Sequence, residues 1–140
     1  MKQDPTCLFC KIVDKEIKAE VLYEDDHVVA FLDVKPRSPG HTMVIPKEHA
    51  PNILELSDSE ITPLFTAVKR MAELLSKKLK PDGITIGMNQ GRASGQEVDH
   101  LHVHLMPRWK NDAGHAIQSV VNNLPKETVR EMRDRILKEE

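Results

Sequence analysis

Three histidines at alternate positions, in His100-Leu101-His102-Val103-His104, are the residues of this sequence best suited to chemistry. Side chains on a strand alternate between faces, so His100, His102 and His104 would point one way and Leu101, Val103 and Leu105 the other. The apolar set pins its face to a core, and that pinning fixes the register. The result is a rigid rail carrying imidazoles about 7 Å apart, twice the rise of a strand. Imidazole is the side chain whose unperturbed pKa falls between pH 5 and 8, so three together suit nucleophilic attack, proton handling or metal binding. Two other readings stand beside this one: a solvent-facing strand that happens to carry histidines, and a catalytic zinc held by two or three of them. Cys7 and Cys10 form a Cys-x-x-Cys pair, a pattern used for metal binding or redox chemistry. They could equally be two small buried residues near a terminus. The redox reading lacks the strand-then-helix context such motifs need.

The elements that must hold these residues can be read from pattern. Cys7 to Ile17 predicts a short helix. Glu20–Glu24 and Val28–Leu32 are β-rich runs separated by Asp25-Asp26, which predicts a hairpin. Two prolines and a glycine make Lys35–Gly40 a loop, delivering a third strand over His41–Pro46. Ser57-Asp58-Ser59-Glu60 matches a capping box, with Thr62-Pro63 as a rival start for the helix that follows. Leu64, Val68, Met71, Leu75 and Leu79 give that helix one apolar stripe, and Pro81-Asp82-Gly83 ends it. Ile84–Met88 predicts a fourth strand and Asn89–Gly95 a loop. Asp99–Met106 predicts the fifth strand, closed by Pro107. A last helix is expected from Pro125, with Val129, Met132 and Ile136 on its buried face. The class is α+β, with helices packed on one face of a mostly antiparallel sheet of about five strands.

With 140 residues the chain is expected to form a single domain, 1–140, with one core. Hydrophobic residues make up 39% and charged residues 30%, the balance of an ordinary globular protein. Twenty basic against 22 acidic side chains leave a net charge of −2 with no basic block, which argues against a nucleic-acid partner. No apolar run is long enough for a membrane span, and Met1–Pro5 lacks the apolar region of a signal peptide, so a cytoplasmic protein is expected.

The run from Gly95 through His100-Leu101-His102-Val103-His104 to Arg108 resembles the signature of the histidine-triad (HIT) family. Cys7-Leu8-Phe9-Cys10-Lys11-Ile12, Tyr23–Asp26, Ala30–Asp33 and Pro39–Lys47 are similar to other family segments, in the same order. The likeness covers roughly residues 7–109. It implies a nucleotidyl hydrolase or transferase cleaving at the α-phosphate of a purine nucleotide derivative, through a covalent nucleotidyl-histidine. On that likeness His102 is the nucleophile, and His104 contacts the phosphate and the bridging atom. Asn89 and Gln96 place amide donors on phosphate oxygens, Asp33 holds the ribose hydroxyls, and Ile17, Phe31, Leu32 and Val34 line the base pocket. By pattern alone Phe31 and Val34 are simply strand residues. Glu97 departs from the small hydroxyl residue common at its position. The likeness further implies a structural zinc on Cys7, Cys10, His49 and His100, no metal for the chemistry itself, and a homodimer using the long helix. His41 resembles a histidine lying just behind the site, while His27 and His115 are expected at the surface. Pro107-Arg108 is similar to the polyphosphate-cleaving branches, which keeps a dinucleoside polyphosphate hydrolase or phosphorylase, and a nucleotide-binding adaptor, as alternatives. The segment after Trp109 matches nothing in the likeness.

Overall fold

The computed structural model describes residues 2–139. Its centre is a five-stranded antiparallel sheet in which Val21–Glu24, Val28–Leu32, Thr42–Pro46, Val103–Arg108 and Gly83–Gly87 lie side by side in that order. β1 (Val21–Glu24) and β2 (Val28–Leu32) form the expected hairpin. Its turn is closed by Asp25, whose Oδ1 accepts the N–H groups of His27 (2.7 Å) and Val28 (2.9 Å). β3 (Thr42–Pro46) pairs with β2 along its whole length.

Alternation along the central strands splits the core in two. Val28, Ala30 and Val44 face α2 (Ile61–Leu79) and pack with its Leu64, Ala67, Val68, Met71 and Leu75. Val29, Phe31, Met43 and Ile45 face the opposite way, onto Cys7, Phe9 and Cys10 of the N-terminal segment and its short helix α1 (Leu8–Val13). The helices therefore cover both faces of the sheet rather than one. Leu64, Val68, Met71 and Leu75 of the stripe on α2 lie in the chain's own core, while Leu79 stays 40% exposed. A face of α2 carrying Phe65, 38% exposed, is what remains outward.

Two helix boundaries differ from expectation for local reasons. The Ser57 hydroxyl and N–H donate to the Glu48 carboxylate (2.7 and 3.1 Å), so no capping box forms, and a 3-10 turn over Asp58–Glu60 leads into α2. Pro63 is the third helical residue, inside the first turn where its missing N–H costs no bond. Lys80, left-handed at φ 50°, ends the helix.

β4 (Gly83–Gly87) is an edge strand paired with β5 (Val103–Arg108). β5 begins four residues later than Asp99, because the Leu101 N–H donates to Ala50 O (2.8 Å) and draws the chain off the sheet. It runs through Pro107, past its last β3 partner, where only the β4 side is paired. Gly40, at φ +84°, turns the loop beneath the end of α2, and a Cβ there would collide with Leu79. That turn delivers His41 to the start of β3.

The tail from Trp109 onward behaves unlike the rest. A 3-10 turn (Ile117–Val120) and α3 (Val129–Leu137) bury no residue. Val129 is 89% and Ile136 71% exposed, so the buried face expected for this helix has no partner among the described residues. No helix among the described residues is long and apolar enough to cross a membrane.

Candidate active site and metal centre

The pleat that sends Leu101, Val103 and Leu105 into the α2 side of the core puts the three histidines on the α1 side. That side is not solvent. His100 is fully buried and His102 nearly so, because Phe9 of α1 lies across them with ring centroids 5.9 and 5.1 Å away. The reading of a solvent-facing strand is thereby corrected.

Each imidazole has its own setting. His102 Nδ1–H donates to the carbonyl of His100 at 2.7 Å, a partner that only accepts, so the neutral ring leaves its lone pair on Nε2. His104 stands beside it at a centroid distance of 4.9 Å. The Arg37 N–H donates to His41 Nδ1 (3.1 Å), which puts the His41 proton on Nε2, and that proton faces His104 Nδ1 at 2.9 Å. The neutral His104 ring therefore carries its own proton on Nε2, as a donor. His41 also lies 3.6 Å from Asp33 Oδ2. Burial, then the nearby His102 and His41, push His104 down to about 4, and burial lowers His41 as well. Both rings are therefore neutral near pH 7. The structure thus makes His41 the residue that fixes the tautomer of His104, a role that its sequence context left open.

His100 turns away from this pair. Its Nε2–H donates to Pro46 O (2.8 Å), leaving Nδ1 bare toward Cys7 Sγ (3.4 Å), Cys10 Sγ (3.6 Å) and His49 Nδ1 (3.3 Å). Cys10 Sγ is 3.3 Å from His49 Nδ1. The four donors form one buried group. Tetrahedral zinc with ordinary bond lengths needs edges of about 3.6 Å between sulfur and nitrogen and about 3.3 Å between nitrogens, and these spacings fit it. Burial pushes the Cys10 thiol up to about 11 and the His100 imidazole down to about 4, so left alone both would be neutral. A divalent cation is what would convert these donors to thiolates facing bare imidazole nitrogens. Cys7 also caps α1, its sulfur accepting the Cys10 N–H at 3.4 Å. The three triad histidines do not converge on a point, and His102 belongs to neither Cys/His/acid cluster among the described residues, so the triad is not built as a zinc-ligand set.

Other expected residues are placed unevenly. Asp33 Oδ1 accepts the Lys35 N–H (2.8 Å) in a local turn, and Oδ2 lies toward His41. Asp33, Leu32, Arg37 and His41 line a hollow of about 420 Å³. Phe31 is buried against Phe9 on the histidine side. Ile17 is 36% exposed, and Val34, at 86%, packs on nothing, so the isolated chain does not gather the expected base pocket. Asn89 sits exposed over Gly95 with its amide near that glycine. Gln96 differs most from expectation: its Oε1 accepts the Gly91 N–H (2.8 Å), and Nε2 gives both protons to Pro51 O (2.7 Å) and Val98 O (3.0 Å). It staples the loop and has no proton left for a phosphate. Arg108 is likewise committed, bidentate to Asp112 (2.7 and 3.1 Å) and bonded to Thr85 and the His115 carbonyl.

Residues 14–111 match the HIT domain model. The chain belongs to the HIT family. An uncharacterised HIT-like protein of Methanocaldococcus jannaschii is 50% identical over 106 residues, which is 76% of this chain and 81% of that protein. An adenosine 5'-monophosphoramidase of Schizosaccharomyces pombe is 39% identical over 109 residues, 78% of this chain and 79% of its own. Among solved structures, a HIT family member from Bacillus subtilis superposes with a TM-score of 0.83 at 33% identity, covering 94% of this chain and 92% of that one. A zinc-bound histidine-triad protein from Mycobacterium smegmatis gives 0.73 at 34% identity, over 77% and 78%. The HIT fold is thus the five-stranded antiparallel sheet seen here.

Proposed function

We propose that this HIT protein hydrolyses a purine nucleotide derivative at its α-phosphate, through a nucleotidyl group carried on His102, with an amine as the preferred leaving group. The observation that carries the reading is the bond from His102 Nδ1–H to the His100 carbonyl, which leaves Nε2 as a bare nitrogen next to a donor, His104. In the first step Nε2 attacks phosphorus and the bond to the leaving group breaks, with the His104 Nε2–H hydrogen-bonded at the departing atom or a phosphate oxygen. In the second, water displaces His102. The departing amine takes its proton from solvent in the first step, since neutral His104 cannot release its only N–H proton without becoming an imidazolate. The attacking water returns a proton to solvent in the second, so both imidazoles end the cycle neutral. Asp33 Oδ2, 3.6 Å from His41 Nε2, is the acceptor offered to ribose hydroxyls, and the exposed Asn89 is the amide donor for phosphate. Gln96 serves by shaping the loop.

Two relatives named as adenosine 5'-monophosphoramidases, at 37% and 39% identity, support the amine leaving group. The polyphosphate alternative drew its support from the likeness of Pro107-Arg108 to the polyphosphate-cleaving branches, and here four N–H groups of that guanidinium go to Asp112, Thr85 and the His115 carbonyl. The adaptor reading is disfavoured by the intact His102. Cys7, Cys10, His49 and His100 would hold zinc, which when bound supplies structure rather than chemistry; the spacing of the donors and the zinc-bound relative support this. We read the chain as a homodimer through the unpaired edge of β4. Adenosine 5'-phosphoramidate and diadenosine polyphosphates should be offered in parallel. Faster turnover of the phosphoramidate is expected, and turnover of the polyphosphates alone would overturn the choice of leaving group.

A further inference from the structure

We infer that Phe9 is a positioning residue for His102, and that metal in the Cys7/Cys10/His49/His100 centre orients the nucleophilic imidazole through Phe9 and the His100 carbonyl. This rests on the reading of His102 given above. Two contacts fix the His102 ring from the α1 side, and both are attached to the metal centre. The first is the hydrogen bond to the carbonyl of His100, itself one of the four donors. The second is the Phe9 ring, 5.1 Å away at 83°, an edge-to-face contact. Phe9 lies between Cys7 and Cys10 in sequence and is 4% exposed. It meets His100 at 78° and Phe31 at 69°, so one ring wedges the nucleophile, a donor and the sheet together.

The helix carrying Phe9 cannot place it unaided. α1 has six residues, well short of the roughly 12–15 at which an isolated helix becomes marginally stable. Its position depends on the apolar contacts of the small cluster and on the four donors, which come from three segments of chain: residues 7–10, the loop after β3, and the approach to β5. Emptying the centre unties those segments where the His102 partners are anchored. His104 is held differently, by His41 and Arg37, neither of which belongs to the centre.

That difference supplies the test. In zinc-loaded protein with nitrogen-labelled histidine, NMR of the ring nitrogens should show His102 as one tautomer protonated at Nδ1 and His104 as one protonated at Nε2. Phe9→Leu, which keeps the core largely filled, and Phe9→Ala should retain one zinc per chain yet show His102 averaged between states, with His104 unchanged. Their single-turnover nucleotidylation of His102 should fall about tenfold or more. Removing zinc from the wild type with a chelator should blur His102 in the same way, and restoring zinc should sharpen it. A zinc-loaded Phe9→Leu protein with the wild-type His102 pattern and rate would overturn the inference, as would metal-free, folded wild type with an unaltered His102. The imidazole readout needs no substrate. Failure to find any nucleotidyl transfer would therefore strike the proposed function and leave this coupling to be judged on the spectra.

Discussion

Residues 7–13 and 129–137 are both short helical stretches at the ends of the chain, both carry apolar side chains, and they meet opposite fates. At the first, Phe9 and Cys10 are buried to 4% and 1% exposure, and the local devices are modest, a Cys7 sulfur cap at one end and a left-handed Lys15 after the other. At the second, Thr128 and Glu131 form a complete capping box, and no residue of the helix is buried. Local chemistry thus makes the C-terminal helix, while long-range contacts make the N-terminal one. The lesson is that a helix is tied to function by what its side chains reach. α1 reaches His102 and the cluster of Cys7, Cys10, His49 and His100; α3 buries no side chain among the described residues. Arg108 and Asp112 brace the turn from which the tail departs, so the tail leaves the domain from a fixed root.

The contrast can be broken most severely at the residue the N-terminal region serves. His102→Ala should lower turnover by about a thousandfold or more, while nucleotide binding persists, measured as steady-state rate beside calorimetric affinity. A variant within tenfold of wild type would mean that this region is not organised around a nucleophile.

Next in size is the metal centre. Cys10→Ser should lose zinc by metal analysis and melt several degrees lower, because the centre joins segments distant in sequence. Truncation after residue 120 makes the complementary measurement. Among the described residues it removes no buried side chain, so the melting temperature should stay within about two degrees of the full chain. A truncated chain that melts as low as Cys10→Ser would show that the tail is packed after all.

The smallest effect is expected from pH. Burial holds His104 near 4, below its ordinary 6.5, so the unfolded chain binds more protons than the folded one between those values. The contribution is complete above about pH 6.5 and is lost as pH falls toward 4. The melting temperature of the wild type should therefore drop more steeply over that window than that of His104→Asn. Parallel curves would contradict the buried neutral setting of His104.

Much of this was legible in residue pattern. The alternation of His100, His102 and His104 with Leu101 and Val103 correctly assigns their faces, since the period of a strand is a local property. Asp25-Asp26 marks the hairpin for the same reason. What failed is non-local. The start of β5 depends on Leu101 bonding to Ala50, more than a third of the chain away in sequence. Gln96 reads as a phosphate donor until Pro51 and Val98 are seen to take both its protons. The amphipathic pattern of α3 implies a partner that the described residues do not supply, and Cys7-Leu8-Phe9-Cys10 draws attention to its cysteines although Phe9 is the residue that touches His102. The signal for Phe9 was its place between two metal donors, which fixes the ring wherever the donors go.

The central claim is that His102 becomes covalently nucleotidylated. Rapid quenching of the protein with adenosine 5'-phosphoramidate radiolabelled at the α-phosphorus, followed by peptide mapping, tests it directly. Acid-labile, base-stable label is expected on the peptide containing His102, formed no more slowly than turnover and absent from His102→Ala. Turnover without any protein-bound label, or label that persists in His102→Ala on His104 or another residue, would contradict it.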